Sequence, residues 1–189
     1  MPGSDSLPIT PLADRLWKLF FRNHVRYAVM SRKTDGSVRY TPVEESPTPE
    51  IVQRHLNREI TIGAYSLDSN SMVNLIAFDI DGNRDSSRQK VENIAVEIFR
   101  VLTEQHGITP VLEFSGNKGY HVLIFLSESL PAVAARAWAE RFADSLNLER
   151  RVTADPHVEI YPKQDIVVGE RIGNLLKLPL GLHLKTRSM

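Results

Sequence analysis

Leu75 to Gly82 reads L-I-A-F-D-I-D-G, an apolar run that ends in two carboxylates, Asp79 and Asp81. The longer stretch Val73 to Ile80 carries apolar residues on both faces, which predicts a strand near the middle of a sheet. A strand puts residues i and i+2 on one face, roughly 7 Å apart. Two carboxylates aimed the same way at the end of a buried strand repel unless a cation sits with them. Magnesium and manganese take oxygen ligands and suit such a pair. Asp-Gly is also a turn signal, so a strand-end Asp followed by a turn Asp is an equal reading of the motif alone.

The elements around this strand follow from periodicity and punctuation. Asp85 to His106 predicts a long amphipathic helix with Val91, Ile94, Ala95, Ile98 and Leu102 on one stripe, stopped by Gly107. Thr109 to Phe114 and Tyr120 to Leu126 predict two strands joined by Ser115-Gly-Asn-Lys-Gly119. Ser129 and Pro131 predict the start of a helix to about Asn147, with Ala134, Trp138 and Phe142 inward. Val158 to Tyr161 closes the series as a short strand, and Leu175 to Leu184 has no clear type. From residue 72 onward the order is β-α-β-β-α-β, that of split-βαβ, RNA-recognition-like cores. Upstream, Thr10-Pro11 opens a helix to about residue 22. Tyr27 to Met30 and the turn Thr34 to Ser37 suggest a hairpin. Thr48-Pro49 opens a second helix to about Asn57, and Ile60 to Tyr65 is strand-like. The expected class is α+β. Residues 1–9 form a tail, residues 10–70 an N-terminal α/β module and residues 71–189 the core of one domain spanning 10–189.

Composition narrows the function. Of 189 residues, 42% are hydrophobic and 24% charged, which suits a globular chain rather than a disordered one. Net charge is zero, so there is no global nucleic-acid signal, but the charge is uneven. Arg15, Lys18, Arg22, Arg26, Arg32 and Lys33 crowd one end, and Lys163, Arg171, Lys177, Lys185 and Arg187 the other. Without cysteine there are no disulfides, thiolate metal sites or cysteine nucleophiles. No signal h-region and no apolar run near the ~20 residues of a membrane span is present. The expectation is a cytoplasmic protein with no membrane partner.

Two further constellations bear on chemistry. Glu113 to His121 reads E-F-S-G-N-K-G-Y-H. The two glycines and the serine allow backbone N–H groups to curl around a phosphate, and Lys118 adds a point charge. His121 shares a strand face with Leu123 and Phe125. Alone it reads as a core histidine; behind this loop it reads as an anion contact. His157 to Gln164 reads H-V-E-I-Y-P-K-Q, with Glu159 on the face opposite Val158 and Ile160. If Glu159 shares the face of Asp79 and Asp81, three carboxylates converge. With a phosphate loop they describe two-metal phosphoryl transfer, in which the ions sit ~3.5–4 Å apart. Lys163 and Gln164 follow within reach of a polyphosphate.

Taken in order, D-I-D, S-G-N-K-G-Y-H and an acid in a short strand resemble the archaeo-eukaryotic primase superfamily. The likeness is to its bacterial and mobile-element primase-polymerase branch, CRISPR-associated and conflict-system members included. T-I-G-A-Y-S-L (61–67), E-I-Y-P-K-Q (159–164) and G-N-L-L-K-L-P-L-G-L-H (173–183) extend the resemblance over about residues 12 to 187. It implies an archaeo-eukaryotic primase fold and a template-dependent nucleotidyltransferase taking NTP or dNTP substrates. Asp79, Asp81 and Glu159 would be catalytic and hold two Mn2+ or Mg2+ ions. Ser115, Gly116, Lys118, Gly119 and His121 would hold the nucleotide's phosphates. Lys163, Gln164, Lys177 and His183 would add nucleotide or template contacts. Partners would be a DNA template and primer, or RNA, and further domains or helicase- or CRISPR-type proteins, in replication, repair or defence. The third acid is Glu where many relatives have Asp. Zinc-binding cysteines and a long helical C-terminal domain, which accompany primer initiation in some relatives, are missing. The end just past His183 suggests a domain excised from a longer protein, for which extension is expected more than initiation.

Two other readings compete. D-x-D-G after an apolar strand also resembles haloacid-dehalogenase-type phosphatases, although Asn83-Arg84 departs from their pattern. A non-catalytic RNA-recognition-like module would stack bases on strand aromatics. Here the corresponding strands carry carboxylates, which repel a phosphate backbone unless a metal is bound.

Overall fold

Thr10 and Thr48 start helices for the same reason: each is followed by a proline whose missing N–H costs nothing in a first turn. In the computed structural model, which describes residues 9–21, 25–82, 87–150, 153–167, 174–182, 184 and 186, both caps form. Thr10 Oγ1 accepts from the Ala13 N–H at 3.3 Å and opens α1 (Pro11–Phe20). Thr48 Oγ1 accepts from the Ile51 N–H at 3.5 Å and opens α2 (Pro49–Leu56). The two helices are tied where the Thr10 backbone N–H and hydroxyl both donate to Gln53 Oε1.

The turn at Thr34 to Ser37 closes a hairpin of β1 (Tyr27–Arg32) and β2 (Val38–Val43). Strand β3 (Thr61–Tyr65) pairs with β1, and β8 (Leu175–Lys177) pairs with β3. The result is a four-stranded antiparallel sheet in the order β2-β1-β3-β8. The stretch of uncertain type thus supplies an edge strand to the N-terminal sheet.

The second sheet holds β4 (Met72–Asp81), β5 (Val111–Phe114), β6 (Tyr120–Pro131) and β7 (His157–Tyr161) in the order β5-β6-β4-β7. With α3 (Arg88–His106) after β4 and α4 (Ala132–Ser145) after β6, this is the interleaved β-α-β-β-α-β arrangement. Strand β4 is internal, flanked by β6 and β7, as its apolar run requires. Ile76, Phe78 and Ile80 face α3 and α4 in one core; Leu75 and Ala77 face α1, α2 and the first sheet in the other. The chain is therefore layered, with the second sheet covered on both sides. Among the described residues no helix is long and apolar enough to cross a membrane.

Three expectations change. Strand β6 runs through Ser129 to Pro131, so α4 begins at Ala132 and not at Ser129. The reason is β4: Met72 and Val73 pair with Pro131 and Leu130 beyond a bulge, and the Ala132 N–H donates to Ser71 O. The later start goes with a different buried stripe, Ala132, Ala135, Ala139, Phe142 and Ala143, which leaves Ala134 exposed and Trp138 half-buried. Ser87 caps α3, later than Asp85, which lies outside the described residues.

His55 locks the layers together. Its Nδ1 accepts from the Ile62 N–H at 3.1 Å, which places the proton on Nε2, and that nitrogen donates to Pro179 O at 2.9 Å. Burial holds its pKa down to about 4. Between pH 4 and 6.5 the unfolded chain binds a proton here that the folded chain refuses, so His55 lowers stability as pH falls through that window. His55→Gln removes this titration. Urea melts at pH 7 and pH 4.5 should show wild type losing up to ~2–3 kcal/mol more than the variant over that interval.

Candidate active site

The register of the second sheet sets four ionisable side chains in one row. Glu113 on β5 stands opposite His121 on β6, His121 opposite Asp79 on β4, and Asp79 opposite Glu159 on β7. Directly opposed residues share a face. The row therefore lies on the face of Leu75, Ala77 and Leu123, toward the first sheet. Asp81 and His157 form the next pair along the same face.

The row is linked through short contacts. His121 Nδ1 lies 2.9 Å from Glu113 Oε2, and Nε2 lies 3.5 Å from Asp79 Oδ1. Lys177 Nζ, from β8 of the other sheet, reaches Glu113 Oε1 at 3.5 Å and Leu178 O at 3.2 Å. At the opposite end Lys163 Nζ lies 2.5 Å from Glu159 Oε2 and 4.7 Å from the centre of the Tyr161 ring. The Asp81 carboxylate has no hydrogen-bond or ion-pair partner among the described residues.

Burial and charge oppose each other here. Burial, partly offset by His121 and reinforced by Asp81 and Glu159, pushes the Asp79 carboxyl up to about 6. For His121, burial works against the imidazolium, but the Glu113 hydrogen bond and the charges of Asp79 and Glu113 outweigh it and raise the pKa. Burial, and then nearby carboxylates, raise the phenols of Tyr161 and Tyr40; the Tyr40 hydroxyl and His157 Nδ1 are buried with no hydrogen-bond partner among the described residues.

The loop after β5 is closed by its own atoms. The Ser115 N–H donates to Gly119 O at 3.0 Å, and the Gly119 N–H donates to Ser115 Oγ at 3.2 Å. Gly116 has φ +86°, where a side chain would be strained. Gly119 is fixed by space: a Cβ there would overlap Asp81 Oδ1 and Ile80 O. Its bareness brings the loop against the second carboxylate. Lys118 is exposed at the tip.

The sequence candidates thus divide. Asp79, Asp81, Glu159, His121, Gly119 and Lys163 come together on one face, with Ser115, Gly116 and Lys118 in the adjoining loop. Lys177 is turned inward onto Glu113 behind His121, and Gln164 is half-buried after β7. His183, like Arg22, Arg171, Lys185 and Arg187, lies outside the described residues. Glu113 belongs to the row, although its sequence motif directs attention to the loop that follows it. The signal was present: a hairpin centred on Asn117 places residues 113 and 121 opposite each other. Among the described residues no three His, Cys, Asp or Glu side chains are gathered tightly enough to make a ready metal cage. The donor chemistry nevertheless fits a hard divalent cation, with three carboxylates on one face, one raised by burial and one without a partner.

A family described as "TOTE conflict system, Archaeo-Eukaryotic Primase domain" matches residues 14–189. The chain belongs to this family of archaeo-eukaryotic primase domains. Among solved structures it is similar to the polymerase domain of Mycobacterium tuberculosis Ligase D in complex with DNA. That likeness has 14% sequence identity and a TM-score of 0.50, over 94% of this chain and 76% of the other. At that identity it speaks to the fold, which is that of the archaeo-eukaryotic primases. No curated protein sequence matches the chain. Membership places the chain among nucleotidyltransferase-type, primase-polymerase proteins and removes the phosphatase alternative.

In this primase domain an ionised Asp79 is a cost to the metal-free fold. Its folded pKa lies above the unfolded value of 3.8, so stability is lost as pH rises from about 4 through about 6. In a chelator, Asp79→Asn should be more stable than wild type at pH 8, by ~2 kcal/mol, with the difference vanishing near pH 4. Thermal melts at the two pH values measure it.

Proposed function

We propose that this domain is a template-dependent nucleotidyltransferase, a primase-polymerase that extends a nucleic-acid strand on a DNA template from nucleoside triphosphates. The observation that carries the reading is the single row His121–Asp79–Glu159, with Asp81 beside it and the Ser115–Gly119 loop at its end. Membership in the primase family supports it. The similar Ligase D domain, in complex with DNA, makes a nucleic-acid substrate the natural partner.

In this reading Asp79, Asp81 and Glu159 would hold two Mg2+ or Mn2+ ions. Ions bound there supply charge for activating the primer hydroxyl and stabilising the pyrophosphate leaving group. The chain's own side chains do the rest. His121 directs Nε2 toward a phosphate oxygen. Lys118 at the exposed loop tip meets the triphosphate from solvent. Lys163 neutralises Glu159 in the metal-free site and swings to the substrate when that carboxylate is engaged. Gly116 and Gly119 let the loop backbone approach closely, and Gln164 and His183 serve as outer contacts. Residues 10–189 act as one catalytic unit.

Primer extension with dNTPs and with NTPs, in magnesium and in manganese, tests the assignment. The wild type should incorporate nucleotides only with a divalent ion. Asp79→Ala/Asp81→Ala should lower the rate by roughly 10³-fold or more, and should abolish the rise in melting temperature that manganese gives the wild type. Incorporation at the wild-type rate in the double variant would sink the reading. Metal-independent binding of nucleic acid without incorporation would point instead to a non-catalytic module.

A further inference from the structure

The mechanism above uses one nitrogen of His121 and leaves unexplained why a glutamate and a lysine are buried behind it. Glu113 has a side chain only 11% exposed, and the Lys177 side chain is 8% exposed. Glu113 borders a chamber of about 480 Å3 whose other lining residues are apolar, Leu16, Phe20, Leu123 and Phe125 among them. A carboxylate there is costly unless paired. Both of its oxygens are engaged, Oε2 by His121 Nδ1 at 2.9 Å and Oε1 by Lys177 Nζ at 3.5 Å. Lys177 is held in turn by Leu178 O at 3.2 Å.

An ionised carboxylate only accepts hydrogen bonds, so the close contact places a proton on Nδ1. That contact also fixes the ring plane. With Nδ1 anchored, Nε2 is directed at the Asp79 side of the row, 3.5 Å from Oδ1. Without the anchor the ring could turn over, and either nitrogen could carry the proton. The partner of the distal nitrogen usually decides what the proximal one can do.

We propose that Glu113, paired with Lys177, is a positioning residue that fixes the ring of His121 by accepting from its Nδ1–H, so that Nε2 and not Nδ1 is presented to an anion bound at Asp79 and Asp81. The inference rests on the polymerase reading for the identity of that anion, a nucleoside triphosphate. It assigns Lys177 to the support of Glu113 and not to contact with nucleotide or template. A Glu113–Lys177 pair with a purely structural task would lower stability when broken, but would leave the protonation of one imidazole nitrogen and the affinity for a triphosphate unchanged.

The test combines imidazole 15N–1H spectra with binding of a non-hydrolysable nucleoside triphosphate in manganese. His121→Gln identifies the His121 signals. In wild type Nδ1 should read as protonated, and in Glu113→Ala that signal should be lost or shared between the two nitrogens. Triphosphate Kd should rise ~10–100-fold in Glu113→Ala. It should rise no further in Glu113→Ala/His121→Gln than in His121→Gln alone, because the two residues act as a unit. If Glu113→Ala fails to fold, Glu113→Gln, which keeps the shape and loses the charge, carries the same comparisons. An unchanged Nδ1 signal, a Kd within twofold of wild type, or losses that add in the double variant would each overturn the proposal. If wild type binds no triphosphate, the polymerase reading falls, while the spectra still decide whether Glu113 orients His121.

Discussion

Everything at this site depends on holding charge on a sheet face that is otherwise apolar. Glu113, His121, Asp79 and Glu159 continue the same face as Val111, Leu123, Ala77 and Tyr161. One row is a seam of core packing; the next is a line of ionisable groups. His121 separates Glu113 from the adjacent carboxylates Asp79 and Glu159, and each end of the row is closed by a lysine, Lys177 at one and Lys163 at the other. Asp81 lies off the row without such a partner. Its position and the raised Asp79 pKa mark the place where the balance of charge is incomplete.

The two lysines come from different parts of the fold. Lys163 lies just past β7, four residues from the carboxylate it neutralises. Lys177 lies on β8, across the gap between sheets. The first sheet is therefore more than a lid over an apolar face. It delivers the lysine that pairs with Glu113. His55 fixes that delivery, because its ring joins β3 to Pro179, two residues beyond Lys177.

Much of this was legible in the sequence, and the parts that were not share a cause. The caps at Thr10 and Thr48, the hairpin at residues 34–37, the long helix before Gly107 and the strand carrying Asp79 all declare themselves through local rules of capping, turn chemistry and periodicity. Alternation put Asp79 and Asp81 on one face, but whether Glu159 joins them was left open by the sequence and is decided by the register that sets Asp79 opposite Glu159. Features set by distant partners were hidden. Pro131 reads as a helix opener until β4 is seen to hold it in a strand. The segment after residue 174 has no clear period because β8 is three residues long and is defined by β3. Lys177 reads as a surface cation for a phosphate because nothing local says that a buried glutamate waits for it.

The sheet order has a consequence for how the protein comes into being. The N-terminal strands emerge early in synthesis, yet β3 keeps an open edge until β8 has been made. Glu113 likewise remains without its lysine until the same short strand docks. Contacts this far apart in sequence are slow to form, since the loop between them must be closed before they repay its entropy. Completion of the row is thus a late event, deferred until nearly all of the described chain is available. A nascent chain arrested before Leu175 would hold every strand of the second sheet and lack the lysine that pairs with Glu113 behind His121.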